Sequence, residues 1–281
     1  MMNLNFYRIT SSLLLLLAVS AWSKGALATS PRIVSADANA TAIVLALGGQ
    51  SKLVALDSSS PLPKGGAALP RIGYHRSLSA EGLLALKPTV LIGSDHMGPH
   101  IALDTLRRAR VDVQVLHAPQ GVPELTDNIL KIGEVLGAQE RAQTLVNDIE
   151  RAAKASQLDE NRNKRVAFVL AVSEQRIQLA GQGTAGQALL DTLGVKNVAN
   201  FNNYRPVTLE GLIELKPDFI IVASAEGQGQ NMHGNSTLLN AAYKDLDQRL
   251  LNINPAHLVA GLSIEAVRES VRLAQQMQSV K

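Results

Sequence analysis

The segment Ser79–Ile92 reads SAEGLLALKPTVLI, and Thr208–Ile221, which begins 129 residues later, reads TLEGLIELKPDFII. Each segment begins with a hydroxyl residue suited to cap a helix, places a glutamate two positions later and continues with apolar residues at helical spacing. Each then reaches Lys-Pro, where a helix stops, and ends in an apolar run typical of a buried strand. This unit occurs twice, which predicts two α/β lobes of similar build.

The sequence on either side of these segments favours a mostly parallel sheet flanked by helices in each lobe. Between the lobes, residues 139–161 contain neither Gly nor Pro, and their apolar residues recur at helical spacing. At about 1.5 Å per residue they would form a helix of roughly 33 Å. We predict a first lobe over residues 29–138, a single long connecting helix over 139–161 and a second lobe over 162–281. Ligand sites favour such interlobe clefts, and a stiff connector predicts little closure on binding.

The first 28 residues have the pattern of a secretory signal peptide. Arg8 precedes an apolar run that falls short of the roughly 20 residues needed to span a bilayer, and Ala26–Ala28 form a small-x-small cleavage signal. An uncleaved membrane anchor is the alternative. The chain contains no cysteine, which excludes disulfides, thiolate metal sites and a lipid-bearing cysteine. We therefore expect an exported periplasmic protein that is not a lipoprotein.

Charge and composition argue against several classes of function. Removing Arg8 and Lys24 with the signal peptide leaves 25 basic and 24 acidic residues, a net charge of +1. No run of like charge is present, so nucleic-acid binding is not expected. The sequence contains no Gly-x-Ser-x-Gly elbow, phosphate loop or dinucleotide fingerprint, so we do not expect an enzyme. Three tyrosines and three phenylalanines remain in the mature chain, few for stacking sugars or catechols.

The two lobes, the spanning helix and the segment LEGLIELKPDFIIVAS from Leu209 resemble the substrate-binding proteins of ABC importers for cobalamin, siderophores and haem. The resemblance covers nearly the whole expected mature chain. The segment GYHRSLSAEGLLALKPTVLIGSDHMGP from Gly73 resembles the haem-specific branch, in which a tyrosine ahead of this helix ligates haem iron. This implies that Tyr74 is an axial ligand of ferric haem b, the transported cargo. It also implies that Glu81 and Glu210 dock against arginines of an inner-membrane permease, with the protein acting as a monomer.

Neighbouring residues are candidates for the haem pocket. Ferric iron favours a hard phenolate oxygen, and Arg76, with His75 if protonated, would stabilise that anion. His96 and Met97 follow the first repeated strand, at the end of the sheet where ligands bind. His233 lies in a glycine-rich loop of the second lobe that contains no arginine to face the phenolate.

Each assignment has a plainer alternative. Tyr74 alone could be a packing residue, the histidines solvated loop side chains, and each glutamate a first-turn acid that favours the helix dipole. His100 follows His96 at a spacing that pairs side chains only on a helix, and the intervening Gly-Pro makes a helix unfavourable. Arg176 and Arg205 are weaker candidates, for the haem propionates. A siderophore or cobalamin is the main alternative cargo. A free metal ion, which needs three or four converging ligands, is a further one.

Overall fold

The computed structural model describes residues 30–62, 69–173, 176–223 and 249–280. From Pro31 onward the chain forms one compact unit, which contains two sheets that we take as the centres of the two lobes. The strands of the first lobe are β1 (Ile33–Ser35), β2 (Leu53–Leu56), β3 (Val90–Ser94) and β4 (Asp112–Leu116). Those of the second are β5 (Arg165–Ser173), β6 (Arg176–Ala180), β7 (Lys196–Asn197), β8 (Tyr204–Val207), β9 (Phe219–Ala223) and β10 (Leu250–Ile253). The described helices are α1 (Ala38–Ala46), α2 (Ala80–Ala85), α3 (His100–Arg108), α4 (Val122–Leu136), α5 (Gln139–Ser156), α6 (Ala185–Leu193), α7 (Leu209–Glu214) and α8 (Ile264–Ser279).

The two sheets differ in strand direction. The first has the order β2-β1-β3-β4, and its described strand pairs are all parallel. The second has the order β10-β9-β5-β6-β8, with β7 also paired to β5. Its pairs β10-β9, β9-β5 and β5-β7 are parallel, whereas β6 and β8 add an antiparallel edge. The predicted α/β class with mostly parallel sheets is confirmed, and the antiparallel edge is an addition to it.

Both repeated segments fold in the same way. The short helices α2 and α7 are capped by Ser79 and Thr208, whose hydroxyl oxygens accept hydrogen bonds of 3.2 and 3.1 Å from the backbone N–H three residues on. After each helix the lysine before the proline has a positive φ, 50° at Lys87 and 45° at Lys216. A lysine in this region of φ is unfavourable, so the turn into the strand is a strained feature that both copies share.

An arginine at the start of each lobe holds the end of the short helix. Arg32 donates from Nη2 to the carbonyl of Leu86 at 2.8 Å and from Nε to that of Lys87 at 2.9 Å. Arg165 donates from Nη2 to the carbonyl of Leu215 at 2.8 Å. These carbonyls would otherwise lack a partner at the end of the helix. The duplication therefore extends beyond the segments in which the sequence shows it.

A hydrophobic core common to both lobes lies between the two sheets. Side chains of β9 alternate, so Phe219 and Ile221 enter this common core while Ile220 and Val222 face an outer cluster against α7. A corresponding outer cluster lies between the first sheet and helices α2 and α3. The common core joins the lobes by packing as well as by the chain.

Helix α5, predicted as the connector over 139–161, ends earlier, at Ser156, and is about 27 Å long at 1.5 Å per residue. The Ser156 hydroxyl donates to the carbonyls of Ala153 and Thr192 at 2.8 and 3.0 Å, and Asp159–Asn161 form a separate 3-10 turn. α5 packs between α4, which the sequence analysis did not predict, and α8. The exact lobe boundaries stay a prediction. No helix within the described ranges is long and apolar enough to cross a membrane.

Candidate functional site

A cavity of about 580 Å³ lies in the cleft between the lobes, within the roughly 300–1,000 Å³ usual for ligand sites. Its described first-lobe lining is Tyr74, His75, Arg76, His96, Ala118, Pro119 and Gln120. Its described second-lobe lining is Phe168, Leu170, Gly183, Thr184, Ala185, Asn203, Tyr204, Ala223, Pro255, Leu258, Val259, Ala260 and Gly261. The charged or ionisable nitrogen groups thus lie on one wall, and the facing wall is mostly apolar.

Tyr74 lies on the first-lobe wall, in the loop that leads from β2 to α2. It follows Gly73, whose φ of 82° favours glycine, and it precedes a 3-10 turn over His75–Ser77. The residue is 49% exposed and borders the cavity. The phenol oxygen is therefore accessible to a ligand in the cleft.

His75 was predicted to lie in the pocket and, if protonated, to stabilise the phenolate; the structure places it at the cavity with its ring largely buried. The residue is 3% exposed, and its Nδ1 lies 3.2 Å from Oδ2 of the fully buried Asp57. The ring centroids of Tyr74 and His75 lie 4.3 Å apart at an interplanar angle of 49°. His75 borders the cavity and at the same time fixes the loop to the end of β2.

A second buried carboxylate lies close to Asp57. Asp37 caps α1, accepting a hydrogen bond of 2.7 Å from the backbone N–H of Ala40 and another from that of Ser94. Burial raises the pKa of Asp37 above its usual 3.8, and the charge of Asp57 acts in the same direction. Asp37 and Asp57 are therefore both buried and held by hydrogen bonds.

Tyr204 lies on the second-lobe wall, and the sequence analysis did not identify it as a site residue. It follows Asn203, which has a φ of 65°, and its hydroxyl oxygen accepts a 3.2 Å hydrogen bond from the backbone N–H of Gly186 at the start of α6. Burial raises the pKa of Tyr204 above 10.0, so it stays a neutral phenol at physiological pH. Its position just ahead of the second repeated segment, matching Tyr74 ahead of the first, is the signal that could have revealed it.

The two lobes are also joined at the base of the cleft. The backbone N–H of Leu262 donates to the carbonyl of Pro119 at 2.8 Å, and Asn39 donates from Nδ2 to the carbonyl of Leu262 at 3.0 Å. Gly261 has a φ of 98°, and a Cβ on it would come within 2.6 Å of backbone atoms of Pro119. Glycine is required here because the two backbones touch.

The other predicted pocket residues fall into three groups. Arg76 and His96 border the cavity, and the His96 side chain is 42% exposed. Met97 does not line it: the residue is 3% exposed and belongs to the outer cluster of the first sheet, where its sulfur packs against the open side of Gly93. The prediction of Met97 as a pocket residue is therefore wrong. His233 lies outside the described residues.

The remaining candidates lie away from the cavity wall. The guanidinium of Arg205 is 4.7 Å from the ring centroid of Phe201, a cation–π contact, and neither it nor Arg176 lines the cavity. Glu81 and Glu210 are exposed in the first turns of α2 and α7, one on each lobe. Within the described ranges no three His, Asp or Glu side chains converge as metal-ion ligands.

A model of the periplasmic binding protein family matches residues 33–240, most of the chain. The chain belongs to the periplasmic binding protein family. Together with its relatives, this confirms the resemblance, and the protein is a substrate-binding protein of the cobalamin, siderophore and haem importer group.

Three similar proteins illustrate the range of this group. The crystal structure of the periplasmic haem-binding protein HutB of Vibrio cholerae is 32% identical, with a TM-score of 0.79, over 88% of this chain and 98% of that one. The ABC transporter substrate-binding lipoprotein YvrC of Bacillus subtilis, itself uncharacterised, is 25% identical over 85% of this chain and 79% of its own. A vitamin B12-binding protein of Vibrio cholerae is 24% identical over 68% of this chain and 70% of its own.

Proposed function

We propose that the protein binds ferric haem as a cargo in the interlobe cleft and delivers it to the permease of an ABC importer. The observation that carries this proposal is the half-exposed Tyr74 on one wall of a cavity whose facing wall is mostly apolar. A phenolate oxygen is a hard ligand for ferric iron, and a porphyrin ring packs against apolar side chains. The similarity to the haem-binding protein HutB supports the same cargo.

The distribution of charge also suits haem. Arg76 and His96 border the cavity on the same wall as Tyr74, whereas the described residues of the second-lobe wall include no lysine or arginine. Porphyrin carboxylates would be held by positive groups, so we place them towards the first lobe. Tyr204 would then face the porphyrin as a neutral side chain.

Delivery requires a surface that the permease recognises. Glu81 and Glu210 are exposed, and the two short helices that carry them have the same caps and the same strained ends. We assign them to docking against basic groups of the permease, one contact per lobe. In this proposal residues 1–28 are removed on export, and the protein acts in the periplasm as a monomer without enzymatic activity.

Titration of hemin into the purified mature protein tests the cargo. We expect a change in the Soret band, absorption bands of a ferric tyrosinate complex, and haem that is recovered unaltered. In Tyr74→Phe the tyrosinate bands should disappear and the affinity should fall by at least about tenfold, which is 1.4 kcal/mol. A wild-type protein that does not change the hemin spectrum would refute the proposal.

Cobalamin is the second candidate cargo, because relatives named vitamin B12-binding proteins match two thirds of the chain. The same titration with cyanocobalamin in place of hemin separates the two. Tight cobalamin binding that Tyr74→Phe leaves unchanged, together with no hemin binding, would establish this alternative.

A further inference from the structure

The loop that presents Tyr74 is fixed mainly through its neighbour. Tyr74 is 49% exposed, whereas His75 is 3% exposed and lies against Asp57. The ring of Tyr74 leans on the ring of His75, with the centroids 4.3 Å apart. The direction in which the phenol points therefore depends on where the imidazole is held.

Asp57 is itself held firmly. Oδ2 of Asp57 accepts hydrogen bonds from the backbone N–H and the hydroxyl of Ser59, at 3.2 and 2.6 Å, and Oδ1 accepts one from the hydroxyl of Ser60. The Ser60 hydroxyl also contacts that of Thr41 in α1 at 2.7 Å. The carboxylate is fully buried, so its orientation is set by these partners and by His75.

Backbone hydrogen bonds hold the loop but leave the phenol ring free. The N–H of Ser58 donates to the carbonyl of Gly73 at 2.8 Å, and the N–H of Gly98 donates to that of His75 at 3.0 Å. These bonds fix the path of the chain on both sides of Tyr74. They do not fix the χ angles of its side chain, so the ring of His75 remains as the feature that orients it.

We propose that Asp57 and His75 are positioning residues for the cargo ligand: the buried carboxylate holds the imidazole, and the imidazole forms the platform on which the Tyr74 phenol rests. This rests on the proposed role of Tyr74 in binding ferric haem. It needs no movement of a proton, only a fixed ring. The consequence is that Tyr74 is oriented before the cargo arrives, which reduces the side-chain entropy lost on binding.

The variants Asp57→Asn and His75→Asn test this inference, each as the complete mature protein loaded with hemin. Asn at 75 retains an N–H donor near the position of Nδ1 but removes the ring, whereas Asn at 57 removes the charged acceptor. In both we expect hemin to remain bound but to dissociate about tenfold faster: Asp57→Asn weakens the charge-assisted hydrogen bond that holds the imidazole, and His75→Asn removes the ring on which the phenol rests. The electron paramagnetic resonance spectrum of the ferric tyrosinate should broaden into more than one species. In the double variant the dissociation rate should rise no further than in the single variants, because both residues act through the same contact.

His100→Asn is the matched control, because it changes an exposed first-lobe histidine, at the start of α3, that is not among the residues lining the cavity. Its spectrum and hemin dissociation rate should match the wild type. Ser60→Ala is a milder second variant, should Asp57→Asn fail to fold, and it should accelerate dissociation by a smaller factor.

The failure of this inference is distinguishable from failure of the proposed function. If the wild type binds hemin through Tyr74 and folded Asp57→Asn or Ser60→Ala keeps the wild-type spectrum and dissociation rate, the positioning role is refuted while the cargo stands. A lowered urea midpoint with an unaltered spectrum has the same meaning, since it describes a purely structural role. Absence of hemin binding by the wild type refutes both.

Discussion

Tyr74 and Tyr204 occupy matching places in the two lobes, five and four residues ahead of the helix caps Ser79 and Thr208. Each follows a residue with a positive φ, and each reaches the same cavity. Tyr74 lies in a loop and is half exposed, whereas Tyr204 lies in β8, paired to β6, with its hydroxyl bonded to Gly186. Strand pairing thus holds Tyr204 in the cavity wall, whereas the loop leaves Tyr74 accessible.

Glu81 and Glu210, which we propose as permease contacts, should contribute about equally to uptake. We expect Glu81→Ala and Glu210→Ala each to lower hemin uptake through the permease, and the double variant to lower it by about tenfold or more, because each removes one charge pair. Hemin affinity should not change. Uptake by cells that carry the cognate permease measures the effect.

Glu214→Ala is the control for this prediction, since Glu214 is exposed on α7 one turn beyond Glu210. It should leave uptake unchanged. Normal uptake by the double variant, or an equal loss in the control, would contradict the docking assignment.

The buried carboxyl group of Asp37 gives the stability of the protein a pH dependence. Because burial raises the pKa of Asp37 above 3.8, the folded state binds the proton more tightly than the unfolded state. The stabilisation is complete below 3.8 and is lost as pH rises through the folded-state pKa. Urea unfolding from pH 4 to 7 should show the wild type losing stability relative to Asp37→Asn; a constant difference would contradict this.

The two tyrosines should respond in opposite ways to loss of the hydroxyl. Tyr204→Phe removes the acceptor for the N–H of Gly186 and should lower the free energy of unfolding by about 1 kcal/mol while the ferric tyrosinate spectrum remains. Tyr74→Phe should remove the ferric tyrosinate bands and leave the free energy of unfolding nearly unchanged. If Tyr204→Phe removed the tyrosinate bands, the comparison would be inverted. Urea unfolding and absorption spectra of the two variants decide between these outcomes.

The arginines that hold the short helices are unequal, and their removal should show it. Arg32→Ala loses two hydrogen bonds to carbonyls and should cost about 1 kcal/mol, whereas Arg165→Ala loses one and should cost about half as much. Arg162→Ala, whose side chain is 75% exposed in a surface ion pair, is the control and should cost close to nothing. Equal losses at all three arginines in urea unfolding would show that these bonds do not stabilise the turns.

Much of this fold could be predicted because the signals for helix starts, helix stops and buried strands occur twice in the sequence. The caps, the Lys-Pro stops and the apolar strands are local patterns, and they predicted α2, α7, β3 and β9. Helix α4 also has such signals, with Pro123 in its first turn and Gly137 at its end, but it lies outside the repeated segments and was not predicted. Strand β8 could not be predicted in this way, since Pro206 argues against a strand unless it lies at a sheet edge.

The site was predictable on one wall only. Tyr74, Arg76 and His96 lie close in sequence to the first repeated segment, so a local pattern located them. Met97 was misplaced because proximity in sequence does not reveal that Gly93 leaves a space for its sulfur in the outer cluster. Tyr204 and the second-lobe wall depend on packing between distant segments, about which local patterns carry no information.

The common core between the sheets has a consequence for the ancestry and modularity of the molecule. Two copies of one structural unit suggest a protein that could be divided at its midpoint into halves. Here the midpoint is α5, whose Val146 and Ile149 are buried among side chains of both halves. Either half alone would expose this apolar surface to water, so we expect neither half to fold independently. The repeat is visible in the caps and turns at the outside of the molecule, whereas at the centre the two copies share one hydrophobic core.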